Sequence, residues 1–218
     1  TSRLGLDVTG PDIGKARSSA KIETDFGGFS GSNTMLRIRQ AYVNLDWGKS
    51  AVLVGITWHP LFGAVMPDVL NLSTGAPFQP FNRSPQIRYQ YKANSRVQLT
   101  ASVLWQLQYL SSGPKGMSED YIKNSCIPEM FVGADFTPAD GWLMGLGAHM
   151  ISLKPRTSTE WKEQTFKVNE RMTAFSYEAH LKYSGRNYTF AAKTLMASAL
   201  DHTALLGGYG AVSYTHLT

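Results

Sequence analysis

Cysteine is almost absent: Cys126 stands alone, which excludes a disulfide framework and any cysteine-rich zinc site. Charge is scarce as well, with Asp, Glu, Lys and Arg at 17% of the residues against roughly 25% in soluble domains. No run of about 18 apolar residues is present to cross a bilayer as a helix. The nearest candidate, 51–70, is broken by His59, Pro60, Pro67 and Asp68. Neither a Lys/Arg run nor an RNA-binding aromatic signature accompanies the net charge of +5, so nucleic acid is not an expected partner. Internal repeats and low-complexity linkers are missing too, and nothing marks a domain boundary.

What the 218 residues do contain is 20 glycines, 11% aromatic residues and 43% hydrophobic residues, enough for one sizeable core or one large sheet and a poor match to disorder. The mean hydropathy of −0.20 is mildly polar. A closed β-barrel can still cross a bilayer at that value, because its strands alternate apolar and polar side chains and average out.

Period-two alternation dominates, as strands with two chemically different faces require. In 96–109, Val97, Leu99, Ala101, Val103, Trp105, Leu107 and Tyr109 share one face, opposite Arg96, Gln98, Thr100, Ser102, Leu104, Gln106 and Gln108. The same split recurs in 86–92 and 175–183. About eleven strands are expected: 2–9, 17–26, 34–46, 50–58, 84–93, 96–109, 129–137, 141–152, 169–184, 187–198 and a partial one from 207. Many reach the nine to eleven residues that a tilted strand needs to cross a bilayer. Their connections alternate between short turns, such as Asp46-Trp47-Gly48-Lys49 and Pro138-Ala139-Asp140, and long segments near 59–83, 110–128, 153–168 and 199–206. That rhythm is the one expected of outer-membrane barrels.

One strand has an ambiguous face. Leu36 and Ile38 oppose Arg37 and Arg39, yet Ala41, Val43 and Leu45 continue on the arginine parity. A β-bulge near Gln40 would bring the arginines and the later polar residues together. Without it, the arginines sit at a barrel's mouth rather than in its lumen. Trp47, Trp58, Trp105, Tyr109, Trp142, Tyr183 and Tyr188 fall near strand ends, where interfacial girdles form in barrels.

The segment Leu36-Arg37-Ile38-Arg39-Gln40-Ala41-Tyr42-Val43-Asn44-Leu45, followed by Leu53-Val54-Gly55-Ile56-Thr57-Trp58, resembles the DcaP-like porins of Gram-negative outer membranes. So do Pro67-Asp68-Val69-Leu70-Asn71 leading into Arg83-Ser84-Pro85-Gln86-Ile87-Arg88-Tyr89, and Leu206-Gly207-Gly208-Tyr209-Gly210. Leu61-Phe62-Gly63-Ala64 departs from the more polar loop start of that family. The resemblance implies an all-β, antiparallel transmembrane β-barrel of sixteen strands, homotrimeric at full length, in the outer-membrane lipid of a Gram-negative cell. It also implies uptake of small, often anionic solutes past an inward-folding loop.

On that reading 1–211 are a partial porin barrel with its inward loop at about 59–83. The chain opens at Thr1 without an initiator Met, and 212–218 read as an in-frame translated sequencing adapter. A pore filter sets cations that attract anions against carboxylates that shape a transverse field. The expected lining residues are Arg37, Arg39, Arg83 and Arg88, with Asp68 on the loop. Solvated strand faces or rim ion pairs are the competing role for each arginine.

Two rival functions are a soluble or surface-attached β-sandwich that binds carbohydrate through its aromatics, and an outer-membrane barrel enzyme. For the latter, Asp201-His202 and Glu178-Ala179-His180 lack a partner at diagnostic spacing, and Gly113-Pro114-Lys115-Gly116 lacks the Gly-Lys-Ser/Thr ending of a phosphate loop. The expectation is therefore no enzyme, no metal and no cofactor.

Overall fold

The computed structural model describes residues 2–27, 36–66, 69 and 79–205. In chain order the strands are β1 (Arg3–Thr9), β2 (Arg17–Asp25), β3 (Arg37–Asp46), β4 (Ser50–Trp58), β5 (Arg83–Lys92) and β6 (Val97–Leu104). Then come a small hairpin, β7 (Ser112–Gly113) and β8 (Gly116–Met117), and a helix, α1 (Asp120–Ser125). β9 (Glu129–Phe136) and β10 (Trp142–Leu153) follow, then a second hairpin, β11 (Ser158–Trp161) and β12 (Gln164–Lys167). β13 (Met172–Ser184) and β14 (Thr189–Met196) close the described chain, apart from a 3-10 turn at Asp201–Thr203.

Ten of these strands form a single sheet in the order β1-β2-β3-β4-β5-β6-β9-β10-β13-β14, every neighbouring pair antiparallel. The meander arises from tight turns whose chemistry is local. Asp46 accepts the Gly48 N–H through Oδ1 at 2.6 Å while Gly48 takes φ +86°, a conformation that favours glycine. Asn94 Oδ1 accepts the Arg96 and Val97 N–H groups at 2.8 and 2.9 Å. The short connections 47–49, 93–96, 137–141 and 185–188 lie at one end of the sheet, and the long ones at the other.

Side chains are distributed the reverse of a water-soluble protein. Val43, Val54, Ile87, Leu99, Val132, Leu146 and Phe175 are exposed, whereas Ser18, Asp25, Arg39, Gln86, Ser102, His149, Ser176 and Glu178 are buried. The apolar side chains gain nothing in water, but they match hydrocarbon, and the polar face then turns inward. A sandwich would instead bury its apolar face in a dry shared core, so that alternative is set aside. The chain has an all-β fold of the antiparallel outer-membrane barrel type.

Several expectations need correction. The strand expected over 96–109 stops at Leu104, because Gln106 turns inward and is fully buried against Glu129 and Ser111, and Trp105 packs on an inner apolar cluster. That cluster joins Tyr121 and Ile122 of α1 to Ile151, Leu153 and Ala174. Trp58 and Tyr109 also leave the expected girdle, packing against Phe81 inside. Trp142, Tyr183 and Tyr188 do form a contiguous aromatic group beside the 185–188 turn. The strand expected from 207 and the tail 212–218 lie outside the described residues.

The exposed apolar face sets a test of lipid contact. Val132→Lys places a cation in the hydrocarbon and should cost about 2–4 kcal/mol of stability in urea unfolding from lipid vesicles if it lies near the midplane. Thr100→Lys, at similar depth on the polar face, should cost much less. Equal losses would remove the lipid assignment.

Candidate functional site in the polar interior

The ambiguity in β3 is resolved by a bulge. The register with β2 runs from Glu23↔Gln40 directly to Thr24↔Ile38, which leaves Arg39 as the extra residue. Arg37 and Arg39 therefore point to the same side as Gln40, Tyr42 and Asn44, while Ile38 and Val43 point outward. Both guanidiniums meet carboxylates of β2. Arg37 donates to Asp25 at 2.9 and 2.7 Å, and Arg39 donates to Asp25 at 2.7 Å and to Glu23 at 2.6 Å. Gln40 adds a bond to Glu23 at 3.2 Å. Asp25 is fully buried, and charge-assisted bonds of this kind are about twice as strong as neutral ones. The two arginines on the inner wall are thus charge-compensated.

Arg88 has a different environment. Its Nη2 donates to the Trp58 carbonyl at 2.6 Å and to Gln86 Oε1 at 2.8 Å, both neutral acceptors. It lines a cavity of about 350 Å³ together with Thr57, Gln90, Gln98, Thr100, Asp135, Glu178 and His180. Contributions from β4, β5, β6, β9, β10 and β13 to one cavity make the polar face concave. Across from Arg88, His180 sits between two carboxylates, with Nε2 3.1 Å from Asp135 and Nδ1 3.2 Å from Glu178. Its ring needs a glycine beneath it, since a Cβ on Gly145 would come within 2.2 Å of His180.

The segment after β4 turns onto this face rather than away from it. Pro60, Leu61, Phe62 and Val65 are buried, and Leu61 packs with Leu104, Phe131 and Leu200. Lys193 of β14 donates to the Leu61 and Phe62 carbonyls, and Gln79 donates to the Phe62 carbonyl at 2.6 Å. On the return, Asn82 donates to the His202 carbonyl at 3.1 Å, and the Phe81 N–H donates to the Thr203 carbonyl at 2.6 Å.

His59 opens that segment, and its Nε2 lies 3.4 Å from Glu129 Oε2. His149 and His202 approach the same oxygen at 3.2 and 3.1 Å. Burial pushes the His59 imidazolium pKa down to about 4 in spite of the nearby carboxylate, so the ring is neutral and its Nδ1 accepts the Leu61 N–H at 3.2 Å. For His202, burial also acts downward, but the charge and hydrogen bond of Glu129 outweigh it and raise the pKa above the ordinary value. No local spacing announced this group, because its members are spread from 59 to 202 in the chain. The one signal that could have found a member is the strand parity of His149.

Arg83 is placed apart from the cavity. It is almost fully buried, bonds Tyr109 Oη at 2.9 Å, and lies over the rings of Trp58, Phe81 and Tyr109 at 5.2, 5.7 and 5.9 Å. An aromatic cage of this kind stabilises a cation without a carboxylate. Asp68 lies outside the described residues. Of the five residues expected from the sequence, Arg37 and Arg39 come together on β3, Arg88 reaches the cavity, and Arg83 does neither.

No protein-family model matches the chain, and the curated proteins hold no match. Among solved structures it is similar to OmpTdeltaL8, a loop L8 deletion mutant of OmpT, an outer membrane protein of Vibrio cholerae. The TM-score is 0.51 at 16% identity, covering 91% of this chain and 63% of that one. The likeness is one of fold, and the class it defines is the outer-membrane β-barrel.

The Asp25 pairing carries its own expectation. Asp25→Ala leaves two guanidiniums without their shared acceptor and should destabilise the fold by about 3–5 kcal/mol, measured by urea unfolding in vesicles. Asp7→Ala, which removes only an exposed partner of Lys21, should shift the same transition far less.

Proposed function

We propose that the chain is part of an outer-membrane porin of the DcaP-like kind, passing small polar and preferentially anionic solutes by passive diffusion. The observation that carries this reading is a concave polar face with a cavity of about 350 Å³, backed by a continuous apolar exterior. β1 and β14 are the unpaired edges of the ten-stranded sheet among the described residues. Edges are costly in lipid, so the reading includes further strands that close the barrel, and residues 1–211 are then a partial one. In line with this, the chain spans 63% of the length of the matched structure. The resemblance extends the proposal to a homotrimer in outer-membrane lipid. No enzymatic step and no cofactor enter the transport reading.

The anion preference in this reading rests on the placement of Arg88, since the single charge of His180 offsets at most one of Asp135 and Glu178. Asp135 and Glu178 are both engaged by His180, and Asp25 and Glu23 by Arg37 and Arg39. Arg88 bonds only neutral oxygens in its described contacts, so its field reaches into the cavity uncancelled at close range. A cation on one wall facing carboxylates on the other orients a polar solute, and binding stays weak enough for release. The 59–66 and 79–82 stretches, held by Lys193 to β14 and by Asn82 to the 201–203 turn, narrow the path.

Two measurements in planar bilayers test this on the full-length protein. The reversal potential in a salt gradient should favour anions, and Arg88→Gln should move it toward cations. A paired Arg37→Gln/Asp25→Asn variant removes one charge of each sign and should leave it near the wild-type value. An unmoved potential in Arg88→Gln would take that residue out of the filter. Separately, replacing 61–80 by a short Gly-Ser link should raise single-channel conductance, and an unchanged conductance would mean that the segment does not narrow the pore.

A further inference from the structure

Four side chains from four distant parts of the chain converge on one point of the interior. His59 stands at the entry to the inward segment, Glu129 at the start of β9, His149 on β10 and His202 in the 3-10 turn. Each is at most 2% exposed. All three rings direct Nε2 at a single atom, Glu129 Oε2, at 3.4, 3.2 and 3.1 Å. The ligand atoms of His59, Glu129 and His149 lie within 4.8 Å of one another. The rings are spaced around a common centre, with centroids 5.2, 6.2 and 6.4 Å apart.

As a hydrogen-bonded hub this group is over-supplied with donors. His59 Nε2 is buried and aimed at the carboxylate, yet makes no hydrogen bond among the described residues. Buried polar atoms are normally satisfied, and orphans call for a missing partner. Three imidazole nitrogens and one carboxylate oxygen form the donor set of a four-coordinate zinc site, and imidazole also suits copper and nickel. The surroundings fit as well. Gln106 Nε2 donates to Glu129 Oε1 at 2.7 Å, which orients the carboxylate and leaves Oε2 facing the rings.

We infer that His59, Glu129 and His149, with His202 as the fourth ligand, bind a divalent transition-metal ion of the zinc class. The ion replaces the protons that the Nε2–H···O contacts require. The His59 proton then resides on Nδ1, so ligation gives up the bond from the Leu61 N–H and ties the inward segment to β9 and β10 through the metal instead. The site does not depend on whether the lumen conducts solutes.

The test uses tag-free, full-length protein in detergent, stripped with a chelator and titrated with Co²⁺. The expected result is one ion per chain with the visible d–d bands of a four-coordinate nitrogen and oxygen site, displaced by an equivalent of Zn²⁺. His149→Gln and Glu129→Gln should lose those bands, and Gln106→Ala should weaken affinity by about 10- to 100-fold as a partner outside the ligand set. Should Glu129→Gln fail to fold, the folded wild-type protein still decides. Absence of stoichiometric binding there overturns the site, and binding that survives both His59→Gln and His149→Gln overturns the ligand assignment.

Discussion

The constraint on which this structure depends is that a chain in hydrocarbon must satisfy its backbone polar groups within itself. Strand pairing does so along the ten-stranded meander, and the pleat then forces a division of side chains. Residues such as Val54, Leu99 and Val132 face outward, where apolar contact is free of cost, and every polar side chain on the opposite parity must find a partner inside. The dense ion pairing and hydrogen bonding of the inner wall follow from that division.

The interior meets this demand in three separate ways. On β2 and β3, carboxylates and guanidiniums cancel through short bonds made possible by the bulge at Arg39. Arg83 meets no carboxylate among the described residues and is held against three aromatic rings. Glu129 gathers imidazoles from three other parts of the chain. Arg88, bonded only to neutral oxygens among the described residues, stands out against these and lies beside the cavity.

The alternation of side chains made most of the sheet legible beforehand. Strands expected at 17–26, 50–58, 129–137 and 141–152 match β2, β4, β9 and β10 within a residue. The signal failed where a strand continues in pattern but not in pairing. Residues 105–109 keep the alternation of β6, yet Trp105 and Gln106 are drawn into the inner packing beside α1 and Glu129. The short hairpins and α1, inside connections expected to be irregular, were likewise invisible, since a six-residue helix has too few turns to show a period.

By itself the sequence determined the class of the fold, since period-two alternation, long strands and alternating connection lengths are local properties written residue by residue. It also named the candidate cations Arg37, Arg39, Arg83 and Arg88. Which of those charges is cancelled was decided only by tertiary structure, because Asp25 pairs with β3 through register and Arg83 is caged by residues from three different segments. The same holds for the gathering of His59, Glu129, His149 and His202. Parity tells which side of a sheet a residue faces, but the distance between residues 59 and 202 exists only once the curved sheet brings their segments together.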